Sequence, residues 1–215
     1  MTALTRRRFL QLATGVPLCL AGAPAFSQTN RAPRKVDVVK ILSFACPTCR
    51  ASEAQDRFIE SRLETVGGRL LWAPVPTIAG DTGERERVYY AARAEGRVIE
   101  SRVRASLYKA VQDMGLSLPD LTSVYTWLQS DLPDLEGKLD SLFDRAASNE
   151  SKNALARALR LGMTAGISSL PSYLLVANST VLTLVDPSSA TNGNILALRD
   201  SVVSAIEQHS GTQKP

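Results

Sequence analysis

The chain has 215 residues, of which 44% are hydrophobic and 21% charged, a balance typical of a soluble globular protein that can bury a core without disulfide support. Its three cysteines are too few for a disulfide-rich scaffold. Arg6, Arg7 and Arg8 supply three of the four net positive charges, and no acidic residue precedes Asp37. A chain without those three arginines carries only +1, so its charge gives no reason to expect a nucleic-acid partner.

The first 27 residues have the layout of a cleavable export signal. A charged opening is followed by an apolar run from Leu10 to Ala23 and then by the small residues Ala25 and Ser27. The apolar run is short and interrupted by glycine and proline, which excludes a stable membrane span. The segment from Thr5, Thr-Arg-Arg-Arg-Phe-Leu, resembles the twin-arginine export signal. This resemblance implies a periplasmic protein, exported already folded by the twin-arginine translocase and cleaved near residues 25–27. The alternative is an ordinary secretory signal.

The first part of the mature chain has the pattern of strand, helix and strand. Val36–Phe44 is a β-branched apolar run typical of a buried strand. Arg50–Val66 places its apolar residues on one helical face, and Arg69–Pro76 is again typical of a strand. This order predicts a parallel βαβ unit, with the intervening helix crossing one face of the sheet.

A long helical stretch then interrupts the strands. The pattern is helical from Glu84 to Thr164, and breaks at Gly96, near 115–120 and at Pro133 predict about four helices. Strand character returns over 169–177 and 180–186 with a hairpin turn between them, and 194–208 is an amphipathic helix.

Together these segments predict an α/β protein with a central sheet domain and an inserted helical subdomain. The predicted divisions are an export signal over 1–27, a flexible arm over 28–35, a sheet domain over 36–80 and 166–209, a helical insert over 81–165, and a disordered tail over 210–215.

Two cysteines, Cys46 and Cys49, directly follow the first predicted strand and allow three interpretations. A structural zinc site needs four ligands, whereas the mature chain offers these two cysteines and a single histidine, His209, near its end. A purely structural disulfide would close a very short loop and constrain the unfolded chain little. We therefore favour a redox dithiol, with no metal and no cofactor.

The position of the pair supports this choice. A helix that begins near Cys46 places its sulfur at the helix N-terminus, where unpaired N–H groups and the helix dipole favour a thiolate. Pro47 suits the first helical turn, because it lacks the N–H that would have no partner there. Cys49 lies one turn later, within reach of Cys46. We expect Cys46 to be the nucleophile and Cys49 the resolving thiol.

Two segments in this order resemble the DsbA-type thiol:disulfide oxidoreductases of bacterial envelopes. They are Ile-Leu-Ser-Phe-Ala-Cys-Pro-Thr-Cys with the following Glu53, and residues 165–176, Ala-Gly-Ile-Ser-Ser-Leu-Pro-Ser-Tyr-Leu-Leu-Val. The resemblance implies a thioredoxin-like fold with a helical insert and disulfide exchange with exported proteins, as an oxidant recycled by a membrane redox partner. It further implies a cis bond before Pro171, which presents the backbone of Leu170 to an extended substrate segment beside Cys46.

Two positions depart from that family's pattern. Strongly oxidising members have histidine where this chain has Thr48, so we expect a milder oxidant in which the Thr48 hydroxyl can donate to the sulfur. The family usually has a buried acid at the position of Lys40. Lys40 either reaches the cysteines and stabilises a thiolate, or points to solvent. Glu53 is then either a replacement proton acceptor or a surface salt-bridge residue.

Other functions compete with the oxidant. A reductase or isomerase of the same fold would use the same two cysteines with electrons flowing the other way. A copper carrier would hold Cu(I) through the two thiolates. A chaperone-like peptide binder would carry the disulfide incidentally. These functions differ in whether Cys46 is needed for thiol exchange, for copper retention or for neither.

Overall fold

The structure is a computed structural model that describes residues 35–77, 80–187 and 194–211. The predicted export signal, residues 28–34 of the predicted arm and residues 212–215 of the predicted tail lie outside the described residues. The strands are β1 (Asp37–Leu42), β2 (Leu70–Pro74), β3 (Ser172–Ala177) and β4 (Thr180–Val185). The helices are α1 (Pro47–Glu64), α2 (Glu84–Ala94), α3 (Arg97–Tyr108), α4 (Leu121–Asp131), α5 (Glu136–Ala147), α6 (Asn149–Thr164) and α7 (Ile195–Ser210).

The strands form one mixed sheet in the order β2-β1-β3-β4. β1 and β2 are parallel and are connected by α1, as the strand–helix–strand pattern predicts, whereas β3 is antiparallel to both β1 and β4. In this register Lys40 on β1 lies opposite Trp72 on β2 and Tyr173 on β3. These three residues therefore lie side by side across the sheet.

The turn between β3 and β4 follows the predicted hairpin. Asn178 and Ser179 have φ values of 50° and 62°, the left-handed conformation that a two-residue hairpin turn of type I′ needs at both central positions. This turn returns the chain so that β4 forms the edge of the sheet beside β3.

The region from Glu84 to Thr164 contains five α-helices, where the sequence predicted about four. The missed break lies at Ser148, whose hydroxyl accepts a hydrogen bond from the backbone N–H of Glu150 at 3.2 Å and so begins α6. Because the apolar pattern continues through this point, periodicity alone does not show the break. The structure also ends α3 in a π turn over Lys109–Asp113, which the sequence did not predict.

The sheet and its helices bury a shared apolar core, and the predicted α/β fold class with a helical insert is confirmed. α1 packs against α7, and α2 packs against α3, α5 and α6. The last helix ends at Ser210, two residues beyond the predicted end, and Gly211 closes it with a φ of 75°. Within the described residues, no helix combines the length and apolar character needed to cross a membrane.

Candidate active site

Cys46 occupies the N-cap of α1, as the sequence predicted for its sulfur. Its backbone is extended, Pro47 stands in the first helical turn, and its Sγ accepts a hydrogen bond from the backbone N–H of Cys49 at 3.2 Å. The pKa of Cys46 falls from 9.0 to about 7, mainly through a hydrogen bond from the Cys49 thiol. Backbone N–H groups of Cys49 and Thr48 lower this pKa further, while partial burial opposes the shift. A thiolate at Cys46 is therefore accessible near neutral pH.

Cys49 has the opposite character. Its side chain is fully buried, and burial raises the pKa of its thiol well above the ordinary value. The hydrogen bond to Cys46 and the proximity of the Cys46 charge raise this pKa further. The pair thus consists of one half-buried, easily ionised sulfur and one buried sulfur that retains its proton, and no disulfide joins them.

The loop before β3 faces Cys46. The peptide bond between Leu170 and Pro171 is cis, and the Cys46 thiol donates to the carbonyl oxygen of Leu170 with an S–O distance of 3.8 Å. The antiparallel pairing of β1 with β3 brings the two segments together, because Ile41, near the end of β1, lies opposite Ser172. The two motifs are 124 residues apart in sequence and in contact in the fold.

Lys40 is fully buried, so the interpretation in which it points to solvent is wrong. Its Nζ donates to both carboxylate oxygens of Asp56, at 2.9 and 2.8 Å. Asp56 also accepts from the indole Nε1 of Trp72 at 2.8 Å and from the hydroxyl of Tyr173 at 3.4 Å. We call these four residues the Lys40–Asp56 cluster. The positive charge of Lys40 also lowers the pKa of Cys46, but by less than any of the hydrogen bonds described above.

The remaining two predicted tuning residues act differently from each other. Glu53 lies one turn beyond Cys49 and forms an ion pair with Arg104 of α3, with 2.9 Å between the oxygen and the nitrogen. Burial nevertheless raises the pKa of the Glu53 carboxyl. Thr48 contributes its backbone N–H to the Cys46 sulfur.

Sequence reasoning missed two polar residues that surround the cysteines. Asp56 lies two turns beyond Cys49 on the buried face of α1, and a charged residue on an apolar helical face was a signal that could have identified it. Gln112, in the π turn, donates from Nε2 to the carbonyl oxygens of Phe44 at 2.8 Å and Cys46 at 3.1 Å. No local pattern in the sequence indicates that contact, because it depends on how the helical insert packs.

Comparison with known proteins identifies the architecture. No protein-family model and no curated protein sequence matches the chain. Among solved structures, the oxidoreductase DsbA from Xylella fastidiosa has a TM-score of 0.61 at 16% identity, covering 81% of this chain and 87% of that chain. NmDsbA1 from N. meningitidis has a TM-score of 0.61 at 16% identity, covering 95% and 92%. Pseudomonas aeruginosa DsbA has a TM-score of 0.60 at 18% identity, covering 95% and 94%.

The chain has the DsbA-type fold. Structural similarity at sequence identities of 16–18% establishes this architecture and no more. In this DsbA-type fold, α1 and its N-cap contribute Cys46 and Cys49, the segment before β3 contributes the cis-proline loop, and the helical insert contributes Arg104 and Gln112.

An apolar groove of about 300 Å³ adjoins the cis-proline loop of this DsbA-type fold. Its lining carries no charged side chain and consists of Ile41, Val75, Thr77, Ala158, Leu159, Gly162, Met163, Ile167, Ser168, Ser169 and Leu170. Met163 is 80% exposed at its rim. A larger cleft of about 520 Å³, beside β2 and the start of α3, contains neither cysteine nor Leu170. Only the first of the two adjoins the residue that contacts Cys46.

The chemistry available at this site is thiol chemistry. Within 35–77, 80–187 and 194–211, no three or more His, Cys, Asp and Glu residues are grouped in a way that could hold a metal ion. The site combines a stabilised thiolate, a buried second thiol on the same helix and a backbone carbonyl facing the first sulfur. This arrangement can form and break a disulfide with an extended chain that approaches from the Leu170 side.

Proposed function

We propose that the protein is a thiol:disulfide oxidoreductase that exchanges disulfides with exported proteins in the bacterial envelope. The observation that carries this proposal is the half-buried Cys46 side chain at the N-cap of α1, with a pKa of about 7, whose sulfur lies 3.8 Å from the carbonyl oxygen of Leu170. A purely structural cysteine needs neither a stabilised thiolate nor an open face. The similarity in fold to DsbA oxidoreductases supports the same activity.

In the oxidising direction, the reaction starts from a Cys46–Cys49 disulfide. A substrate thiolate attacks the Cys46 sulfur, the disulfide breaks, and Cys49 leaves with the electron pair and takes up a proton. A second substrate thiolate then attacks the substrate sulfur of the mixed disulfide and releases Cys46 as a thiolate. The substrate has lost two electrons and gained a disulfide, and the protein has become the dithiol.

The properties of the two sulfurs favour this direction. Cys46 is the better leaving group in the second step, because its thiolate is stabilised, and Cys49 retains a proton because it is buried. A stabilised reduced form makes a protein a stronger oxidant. Thr48 carries no positive charge that would stabilise the Cys46 thiolate, so we expect a milder oxidant than a protein with histidine at this position. Operation as a reductase or isomerase would need an electron donor in place of an oxidising partner.

The substrate class follows from the surface beside Cys46. Leu170 is half-buried and its carbonyl faces the sulfur, so a substrate cysteine bonded to Cys46 lies over the cis-proline loop. The uncharged groove that continues from Leu170 suits an apolar side chain of a polypeptide. We infer that the substrates are incompletely folded polypeptides, in which apolar side chains near a cysteine remain accessible.

The location and partners belong to the same proposal. The arginine-rich leader supports export to the periplasm by the twin-arginine translocase, with cleavage near residues 25–27. After each oxidation, the dithiol needs a membrane redox partner that removes two electrons. In this scheme Lys40 lowers the pKa of Cys46 through its charge, Glu53 is the proton acceptor for the cysteines, and Leu170 with Pro171 positions the substrate.

The test is the oxidation of a reduced, unfolded protein by the purified mature chain. Wild type should introduce disulfides and become reduced in equal amount, whereas Cys46→Ser should be inactive. With a substrate protein that carries a disulfide, Cys49→Ser should accumulate a mixed disulfide between substrate and Cys46, because the Cys46 thiolate displaces one substrate thiolate and the resolving thiol is missing. If Cys46→Ser retains full activity, or if Cys49→Ser traps no substrate, the proposed function is wrong. Retention of Cu(I) without thiol exchange would indicate the copper carrier instead.

A further inference from the structure

Gln112 of the helical insert contacts the backbone on both sides of Ala45, immediately before α1. Its Nε2 uses its two hydrogens on the carbonyl oxygens of Phe44 and Cys46, at 2.8 and 3.1 Å. This fixes the orientation of the amide, because the opposite orientation would place the amide oxygen against two acceptors. The helical insert therefore reaches the backbone beside Cys46 through the half-buried Gln112 side chain.

The π turn at the end of α3 makes this contact possible. It runs over Lys109–Asp113 and is closed by a hydrogen bond from the backbone N–H of Met114 to the carbonyl of Lys109 at 3.1 Å. The next residue, Asp113, pairs with Arg50 of α1, with 2.9 Å between Oδ2 and Nη2. The turn thus holds the beginning of α1 at two points.

One of the two carbonyls that Gln112 contacts, that of Cys46, competes with the Cys46 sulfur for the backbone N–H of Cys49. The backbone N–H of Cys49 lies 3.1 Å from the Cys46 carbonyl oxygen and 3.2 Å from the Cys46 sulfur. The same oxygen also accepts from the backbone N–H of Arg50 at 3.3 Å. An oxygen that already accepts from Gln112 attracts the Cys49 N–H less, which leaves that N–H more available to the sulfur. The amide hydrogens also offset the partial negative charge of two carbonyls close to a thiolate.

We propose that Gln112 is a positioning residue of the redox site, which stabilises the thiolate of Cys46 by holding the carbonyl groups of Phe44 and Cys46. The helical insert thereby sets the reactivity of a sulfur that the sheet domain carries. This inference deepens the proposed function and rests on it for its biological meaning. Its first readout is the ionisation of a thiol, which does not depend on oxidoreductase activity.

Three substitutions at one position test the inference. Gln112→Met keeps the length of the side chain and removes the donor, Gln112→Glu replaces it with an acceptor, and Gln112→Lys keeps a donor and adds positive charge. The pKa of Cys46, measured by thiolate absorbance in the reduced protein, should rise in the Met variant, rise further in the Glu variant, and be unchanged or lower in the Lys variant. At a pH above the Cys46 pKa of both proteins, equilibration with glutathione should move toward the protein disulfide in the Met variant by about tenfold for each unit by which the pKa rises.

The matched control is Gln208→Met, the same substitution at an exposed glutamine of α7, which donates to the Ser204 hydroxyl at 3.3 Å and leaves the Gln112 amide in place. Its Cys46 pKa should stay at the wild-type value. A folded Gln112→Met protein with wild-type pKa and wild-type glutathione equilibrium would overturn the inference. If the Met variant does not fold, equal pKa values in the Glu and Lys variants overturn it instead. The proposed function fails separately if the pKa values follow the expected order but neither the wild-type protein nor any variant oxidises a reduced protein.

Discussion

The buried ion pair between Lys40 and Asp56 can be tested by removing either partner. The exposed fractions of the two side chains are 0% and 4%, so each single substitution leaves an uncompensated group out of water. Removing one partner of a buried pair typically destabilises a protein by about 3–5 kcal/mol. Lys40→Met leaves a carboxylate that still accepts from Trp72 and Tyr173, while Asp56→Asn leaves a buried ammonium without its counter-charge. We expect the second change to be the more destabilising.

Guanidinium chloride unfolding of the reduced proteins measures these effects as changes in the free energy of unfolding. The double variant Lys40→Met/Asp56→Asn should be less destabilised than the sum of the single variants by about 2–3 kcal/mol, because neither charge then remains alone. Asp113→Asn, in the exposed pair with Arg50, is the matched control and should leave the free energy of unfolding close to the wild-type value. Single variants at Lys40 and Asp56 as mild as this control would refute the argument.

Three further predictions concern reactivity. The rate at which the reduced protein attacks a small disulfide should rise with pH through a midpoint near 7, because the thiol of Cys46 loses its proton there, and a midpoint near 9 would contradict this. Thr48→His should lower the pKa of Cys46 through an added imidazolium and shift the glutathione equilibrium toward the dithiol, by roughly tenfold for one pKa unit, and an unchanged equilibrium would show that the side chain does not reach the sulfur. Met163→Glu, in the groove beside Leu170, should slow oxidation of peptides that carry leucine next to cysteine but not oxidation of glutathione. Val98→Glu, an exposed control on α3, should affect neither reaction. Equal effects of the two variants would exclude the groove as a substrate-binding surface.

The sequence predicted those features that depend on residues close to one another in the chain. The β-branched run before Cys46 and the proline after it predicted a strand followed by a helix with the sulfur at its start, and both are found. The hairpin at Asn178–Ser179 was likewise predictable, because only two polar residues separate two strand-like runs. The break at Ser148 was missed because hydrophobic periodicity continues across it.

The surroundings of the cysteines were less predictable, because they depend on tertiary contacts. Lys40 could be identified as unusual but not placed, since its partner Asp56 lies 16 residues away on another element. Gln112 is 66 residues from Cys46, and its contact depends on a π turn that no propensity indicates. In both cases the partner of a polar side chain is determined by how a helix packs beside β1.

The most direct test of the account is a redox titration of the mature protein against glutathione, with the state of each cysteine read by alkylation and mass measurement. We predict a single two-electron transition between the dithiol and a Cys46–Cys49 disulfide, with Cys46 alkylated much faster than Cys49 in the reduced protein at neutral pH. Two cysteines that never form a disulfide with each other, or a Cys46 no more reactive than Cys49, would contradict it.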